Sequence, residues 1–361
     1  MMPHPQAVIP TQAGIHIMQR ARFMAWAPAF AGVTSGEEAI GGHAYIVPPL
    51  ASRRAISYES APTPFPKESA MPIRAVLAAM LVAACWGGNF TATKFAMQDF
   101  SPYLALLLRF IGVTLVLAPF ALRLPKPNYR DMLFLGLVLI VFQFALIFSA
   151  LDMGLSITST VVATQLGVPF ACMLAAVVFK DYLGPWRSGG LAVAFIGVMI
   201  VAGTPDASKH WGAFLLAIIG SFGWSVANIY MKRLNPVPHV IQLLFWPALF
   251  SLLPLAALSY FGESHQWEAI THARWTSWAG VTYSLCFSSL IGYGLWNHLI
   301  TKYPMSSVVP YGLLAPVVGI AGGVLVFHDA LTLQVVLGAL LTILGVGVIT
   351  LRRPQLVEIE Q

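Results

Sequence analysis

From Ile73 onward the chain is a succession of long apolar runs separated by short polar breaks. A helix needs roughly 20 residues, mostly apolar, to cross the hydrocarbon core of a bilayer. Ten runs fit that description: 73–94, 102–122, 132–151, 157–179, 188–204, 211–231, 239–261, 276–299, 306–327 and 331–351. The breaks carry turn and charge signals, such as Pro125-Lys-Pro-Asn128, Leu183-Gly-Pro185, Thr204-Pro-Asp206 and Asn235-Pro-Val-Pro238. The pattern predicts an all-α integral membrane protein of ten transmembrane helices.

Residues 1–70 do not share this pattern. They are rich in Pro, Ala, Gly and Ser and hold no apolar run of spanning length. A cleavable signal would place a basic segment directly before an apolar core, and that order is missing. The segment is expected to be disordered, or a mis-annotated extension with Met71 as the true start.

Composition supports the membrane reading. The chain is 58% hydrophobic and 9% charged, against about 25% charged in soluble domains. The mean hydropathy is +0.76. These values argue against a soluble enzyme, and with no dense basic patch the net charge of +6 gives no reason to expect nucleic acid. The three cysteines, Cys85, Cys172 and Cys286, each sit inside an apolar run. They read as small fillers, not as a disulfide framework or metal ligands.

The Lys and Arg residues set an orientation. Alternate loops hold eleven of them on one side and three (Lys94, Lys209 and Arg274) on the other. The basic side is expected to be cytoplasmic, with both termini there.

The two halves match each other. Trp86 and Lys94 are eight residues apart, as are Trp224 and Lys232. Phe179-Lys-Asp181 corresponds to Phe327-His-Asp329, and Gly190 and Gly197 to Gly338 and Gly345. The offset grows from 138 to 148, which puts extra residues in the second half, within 262–274. Residues 73–204 and 211–352 therefore read as two repeats of five spans. An odd number of spans inverts one repeat against the other, an architecture that places a transporter's site at the midplane between them.

Trp86-Gly-Gly-Asn-Phe90, Leu108-Arg-Phe110, Phe179-Lys-Asp181, Trp224-Ser-Val-Ala-Asn228, Gly292-Tyr-Gly-Leu-Trp296 and Ala315-Pro-Val-Val-Gly319 resemble the EamA-type family of the drug/metabolite transporter superfamily. The resemblance covers about 73–352. It implies two inverted five-helix repeats in a bacterial inner membrane, exporting amino acids or related metabolites. Small multidrug members of the superfamily carry a glutamate in the first helix. Here Ala83-Ala-Cys-Trp-Gly-Gly-Asn-Phe-Thr91 has no acid.

None of the fourteen acidic residues falls in the middle of a span. Intramembrane charges are costly and usually functional, so this argues against proton coupling through a buried carboxylate and against a cationic-drug pocket. A zwitterionic or neutral substrate fits better. Arg109 is the one clear intramembrane charge, about 10 Å deep at 1.5 Å per residue. Its guanidinium can bind a substrate carboxylate, or it can bond helix ends or snorkel outward.

Trp86, Asn89 and Thr93 share one helix face, and Ser221, Trp224, Ser225 and Asn228 share another. An amide beside an indole suits an amino-acid backbone; the same groups also serve as glue between membrane helices. Gln143 and Gln165 should face protein or a wet cavity. Tyr311 is a further cavity candidate, whereas Tyr293, Trp296 and Asn297 read as interface anchors. Pro169 and Pro316 interrupt the fourth and ninth spans and can act in gating.

No catalytic motif is present, and no soluble segment is long enough for a nucleotide domain. The reading is a secondary transporter without a cofactor, working as a monomer on a small molecule. A permease for a purine, sugar or nucleotide sugar, or an integral-membrane enzyme, stays open as an alternative.

Overall fold

A computed structural model of the chain describes residues 71–179, 183–235, 238–303 and 305–351. The 1–70 extension and Lys180-Asp181 of the repeated motif lie outside the described residues.

The described residues are helical almost throughout. The spans are α1 (Ile73–Ala96), α2 (Pro102–Ala121), α3 (Tyr129–Asp152), α4 (Ile157–Phe179), α5 (Pro185–Ala202), α6 (Trp211–Arg233) and α7 (Val240–Gly262). Three further helices follow: α8 (Trp275–Tyr283, Ser284–Gly292 and Tyr293–Lys302), α9 (Met305–Gly312 and Leu314–Phe327) and α10 (Leu333–Leu351). Among the described residues nine helices are long and apolar enough to cross a membrane. The segment read as the eighth span is helical from Trp275 to Lys302 but is not among the nine. It is the most polar of the set, and Ser284, Ser288 and Ser289 are buried within the protein.

The packing repeats under exchange of the halves. The pairs α4–α6 and α9–α1 correspond, as do α3–α6 and α8–α1; α2 pairs with its own counterpart α7, and α5 with α10. These last two pairs show the inversion directly. Glu263, at the end of α7, accepts hydrogen bonds from the Tyr103 and Leu104 N–H groups in the first turn of α2, at 2.7 and 3.1 Å. At the opposite ends, Gln242 of α7 donates to the Pro125 carbonyl just beyond α2. Along α5 and α10, Gly197 faces Gly338 while Gly190 faces Gly345. Equivalent helices therefore run antiparallel. A Cβ on Gly197 would stand 2.6 Å from the Gly338 carbonyl oxygen, so glycine is what lets these backbones approach.

The outside is apolar and the inside is mixed, as expected for a helix bundle in lipid. Leu115, Val177, Leu253 and Leu325 project outward. Several buried hydroxyls bond helix carbonyls, as with Thr160 Oγ1 to Ser156 O at 2.8 Å, whereas those of Thr93 and Thr114 have no partner. Exposed Trp186 at the start of α5, and Trp211 and Trp275 at the starts of α6 and α8, mark the helix ends.

Acidic side chains gather at one end of the bundle and tie its connectors together. Asp99, after α1, accepts from Arg274 Nη2 and Ser277 Oγ, both at 2.7 Å, ahead of and within α8. Asp206, between α5 and α6, accepts from Ser156 Oγ at 2.6 Å and Ser159 Oγ at 2.5 Å. Asp329, after α9, accepts from the Thr158 N–H and Oγ1 at 2.8 and 3.0 Å. Two carboxylates thus hold the first turn of α4, where unpaired N–H groups and the helix dipole favour negative charge.

Candidate functional site

The site begins with two broken helices. α4 is interrupted at Gln165 and Leu166, between Ile157–Thr164 and Gly167–Phe179. α9 is interrupted at Leu313. Each break lies three to four residues before a proline, Pro169 or Pro316. Proline has no N–H for the carbonyl four residues back and its ring crowds that carbonyl. The turn before it tightens accordingly: Val168 N–H bonds Gln165 O at 3.2 Å, and Leu313 N–H bonds Pro310 O at 3.3 Å. The loosened α4 backbone is supported from α6, where Ser225 Oγ donates to Gly167 O at 2.7 Å.

Between these breaks lies a cavity of about 350 Å³, to which each of the helices α1–α10 except α5 contributes. Trp86, Asn89, Arg109, Gln143, Gln165, Trp224 and Asn228 all line it, as does Pro316. Tyr311 and Pro169 do not. Tyr311 packs into the apolar cluster around Trp296 and Leu299, and Pro169 is buried one turn beyond the α4 break.

The reading of Tyr293 and Trp296 as interface anchors is corrected. Trp296 is buried, and both rings pack on Trp86, with centroids 5.4 and 5.3 Å away. The reason is that α8 continues past them to Lys302 and lies against α1. Both residues line the cavity.

Arg109 is buried at 3% exposure. Its Nε and Nη2 donate to one acceptor, Ser289 Oγ on α8, at 3.2 and 3.0 Å. Its Cζ lies 5.2 Å from the centre of the Phe110 ring and 5.0 Å from that of Phe144, within cation–π range. Snorkelling is therefore ruled out for this side chain. Ser289 gave no signal in the sequence, because serine is ordinary in membrane helices and its partner is 180 residues away.

Two π-helical stretches frame the site, Gly136–Phe142 in α3 and Ser284–Gly292 in α8. They begin 148 residues apart, the same offset that relates Gly190 to Gly338. A π-turn rotates the following residues around the helix, and here those residues include Gln143 and Tyr293, both on the cavity wall.

The model of the EamA-like transporter family matches residues 73–203 and again 211–351. The chain belongs to this family. Its two matches coincide with the two antiparallel sets of helices. The chain is 31% identical over 274 residues to a Salmonella typhimurium protein named "Probable amino-acid metabolite efflux pump", covering 74% of this chain and 91% of that one. An Escherichia coli protein of the same name is 30% identical over the same length and coverage. A solved crystal structure aligns with a TM-score of 0.53 at 18% identity, over 76% of this chain and 96% of that one; this likeness concerns the fold alone.

A second cavity, of about 370 Å³, opens at the acidic end of this EamA-family bundle, lined by Lys94, Ser156, Asp206 and Asp329 among others. Lys94 Nζ donates to the Leu151 carbonyl at 3.1 Å, and the two carboxylates hold α4 as described. Among the described residues no group of three His, Cys, Asp or Glu side chains is placed to hold a metal ion.

Proposed function

We propose that the chain is a secondary transporter that exports amino acids or related small metabolites across the bacterial inner membrane, as a monomer with both termini cytoplasmic. The observation that carries this reading is the central cavity, bounded by helix breaks at equivalent places in two antiparallel repeats. Broken helices at membrane depth are tolerated where they line a cavity or are buried in protein, and inverted-repeat transporters bind substrate there. The names of the Salmonella and Escherichia relatives support the substrate class and the direction.

Alternating access would proceed by rocking one repeat against the other around the central cavity. The carboxylate ties of Asp206 and Asp329 to the start of α4 would hold the acidic end closed, and their release would accompany opening on that side. The prolines supply the flexible points, since each break already lacks its regular backbone bond.

Counterflow in proteoliposomes tests the proposal. Full-length protein, preloaded with an unlabelled amino-acid mixture, is challenged with labelled cysteine. Transient accumulation above protein-free liposomes is the expected result. Its absence with folded, monodisperse protein, for cysteine and for each labelled amino acid of the mixture, would refute the amino-acid reading.

A further inference from the structure

The central cavity is electrically unbalanced. Arg109 brings a full positive charge to its wall, and no carboxylate lines it among the described residues. Ser289 Oγ takes two hydrogen bonds from the guanidinium and donates its own proton to Ser284 O at 3.0 Å. Arg109 Nη1 is left buried without a partner. A buried charge without an opposite charge is costly, and rings at 5 Å compensate it only in part.

The same wall holds further orphans of the opposite kind. Asn89 Oδ1 and Gln143 Oε1 are buried acceptors without a donor. On α6 the cavity-lining amide of Asn228 turns its donor side to its own helix, with Nδ2 donating to Trp224 O at 2.7 Å. A buried polar atom without a partner costs about 1–3 kcal/mol, so each orphan calls for a ligand group of complementary type. Arg109 calls for an anionic acceptor, and the two amide oxygens call for a donor. A cationic ligand would add a second positive charge beside Arg109. A phosphate dianion would leave net negative charge and give the amide oxygens nothing. A zwitterion satisfies both ends.

Resting on the transporter reading above, we infer that the cavity recognises α-amino acids through both charged groups, the carboxylate on Arg109 and the ammonium on the amide oxygens of Asn89 and Gln143. Arg109 is then the residue that selects for a free carboxylate. The ligand's side chain lies against the apolar wall that includes Phe90, Phe144 and Trp224.

The test uses full-length wild-type protein in counterflow with labelled cysteine, competed by four unlabelled compounds. These are cysteine, cysteine methyl ester, cysteamine (no carboxylate) and 3-mercaptopropionate (no ammonium). Cysteine should compete, and each of the other three should be weaker by about tenfold or more. Arg109→Gln should lower cysteine transport by a similar factor while leaving competition by cysteamine unchanged. Equal competition by cysteamine or the ester in a transporting wild-type protein overturns the inference and leaves the transporter reading standing. So does wild-type transport by Arg109→Gln. No counterflow for cysteine or any amino acid of the mixture overturns both together. The wild-type competition decides the matter even if the variant does not fold.

Discussion

The α5–α10 crossing offers a prediction in which two opposing effects can be weighed. Replacing glycine by alanine inside a helix normally stabilises it by about 0.5–1 kcal/mol. At Gly189, on α5, an added Cβ meets nothing within 4 Å, so that gain stands alone. At Gly197, on the same helix, the Cβ would sit 2.6 Å from both the Gly338 carbonyl oxygen and the Thr342 nitrogen. At Gly345 it would sit 2.5 Å from the Ala194 nitrogen and 2.6 Å from the Gly190 oxygen. These are backbone atoms and cannot rotate away. Normal contact between heavy atoms lies near 3.5–4.0 Å, so the helices must separate by roughly an ångström. Overpacking of this kind costs about 1–3 kcal/mol, which exceeds the propensity gain. Gly189→Ala should therefore raise the apparent unfolding temperature of the purified protein, and Gly197→Ala and Gly345→Ala should each lower it. Both clashes are relieved by the same separation of α5 from α10, so the double variant should lose less than the sum. Intrinsic-fluorescence thermal unfolding in detergent, at one scan rate and protein concentration, measures all four. A Gly197→Ala protein as stable as Gly189→Ala would refute the close crossing of α5 and α10.

The remaining predictions concern the site and its closure. Ser289→Ala removes the hydroxyl that accepts from Arg109 and should destabilise the protein by about 1.5–3 kcal/mol, the worth of hydrogen bonds to a charged group; the same thermal assay reads it. Asp206→Ala combined with Asp329→Ala should raise hydrogen exchange over 157–162 at the start of α4 and leave the α5–α10 crossing protected. Arg274 chiefly, helped by the Ser277 hydroxyl, holds the Asp99 carboxyl down to about 2 from 3.8 against the opposing effect of burial. Because the folded value is the lower one, this tie contributes fully above about pH 4 and is lost as pH falls toward 2. The stability difference between wild type and Asp99→Asn should therefore be flat from pH 7 to about 4, then shrink.

Much of this architecture is legible in the chain because lipid imposes simple rules. Apolar runs mark the spans, and the basic loops alternate with acidic ones. The matched glycines Gly190, Gly197, Gly338 and Gly345 turn out to touch one another across the repeat axis. The cavity face of α1 and α6 follows from helical spacing. What escaped the sequence depends on distant partners. Tyr293 and Trp296 look like end-of-helix anchors until α8 is seen to continue to Lys302. Ser289 carries no mark of its pairing with Arg109. The π-helical turns in α3 and α8 have no composition of their own, yet they decide which way the following side chains face. Tyr311 lies close to the α9 break but turns toward Trp296, a choice that packing makes and spacing does not.

The repeat is symmetric in backbone and asymmetric in charge, and that difference bears on mechanism. At the offset of 138 that relates Trp86 to Trp224, the counterpart of Arg109 is Pro247, which also lines the cavity. One repeat therefore brings the charge and the unpaired amides, while the other brings apolar surface, an internally bonded Asn228, and Ser289 to steady the guanidinium. A symmetric frame can exchange its two states at little cost, because each state's contacts mirror the other's. A substrate held mainly by one repeat would travel with it as the frame rocks. On the proposed mechanism the charged end of the substrate would stay on α1–α3 in both states, and the partner repeat would alternately cover and uncover it. Under the proposed rocking, the Arg109–Ser289 hydrogen bond, which joins the two repeats beside the cavity, would be one contact through which substrate binding bears on their motion.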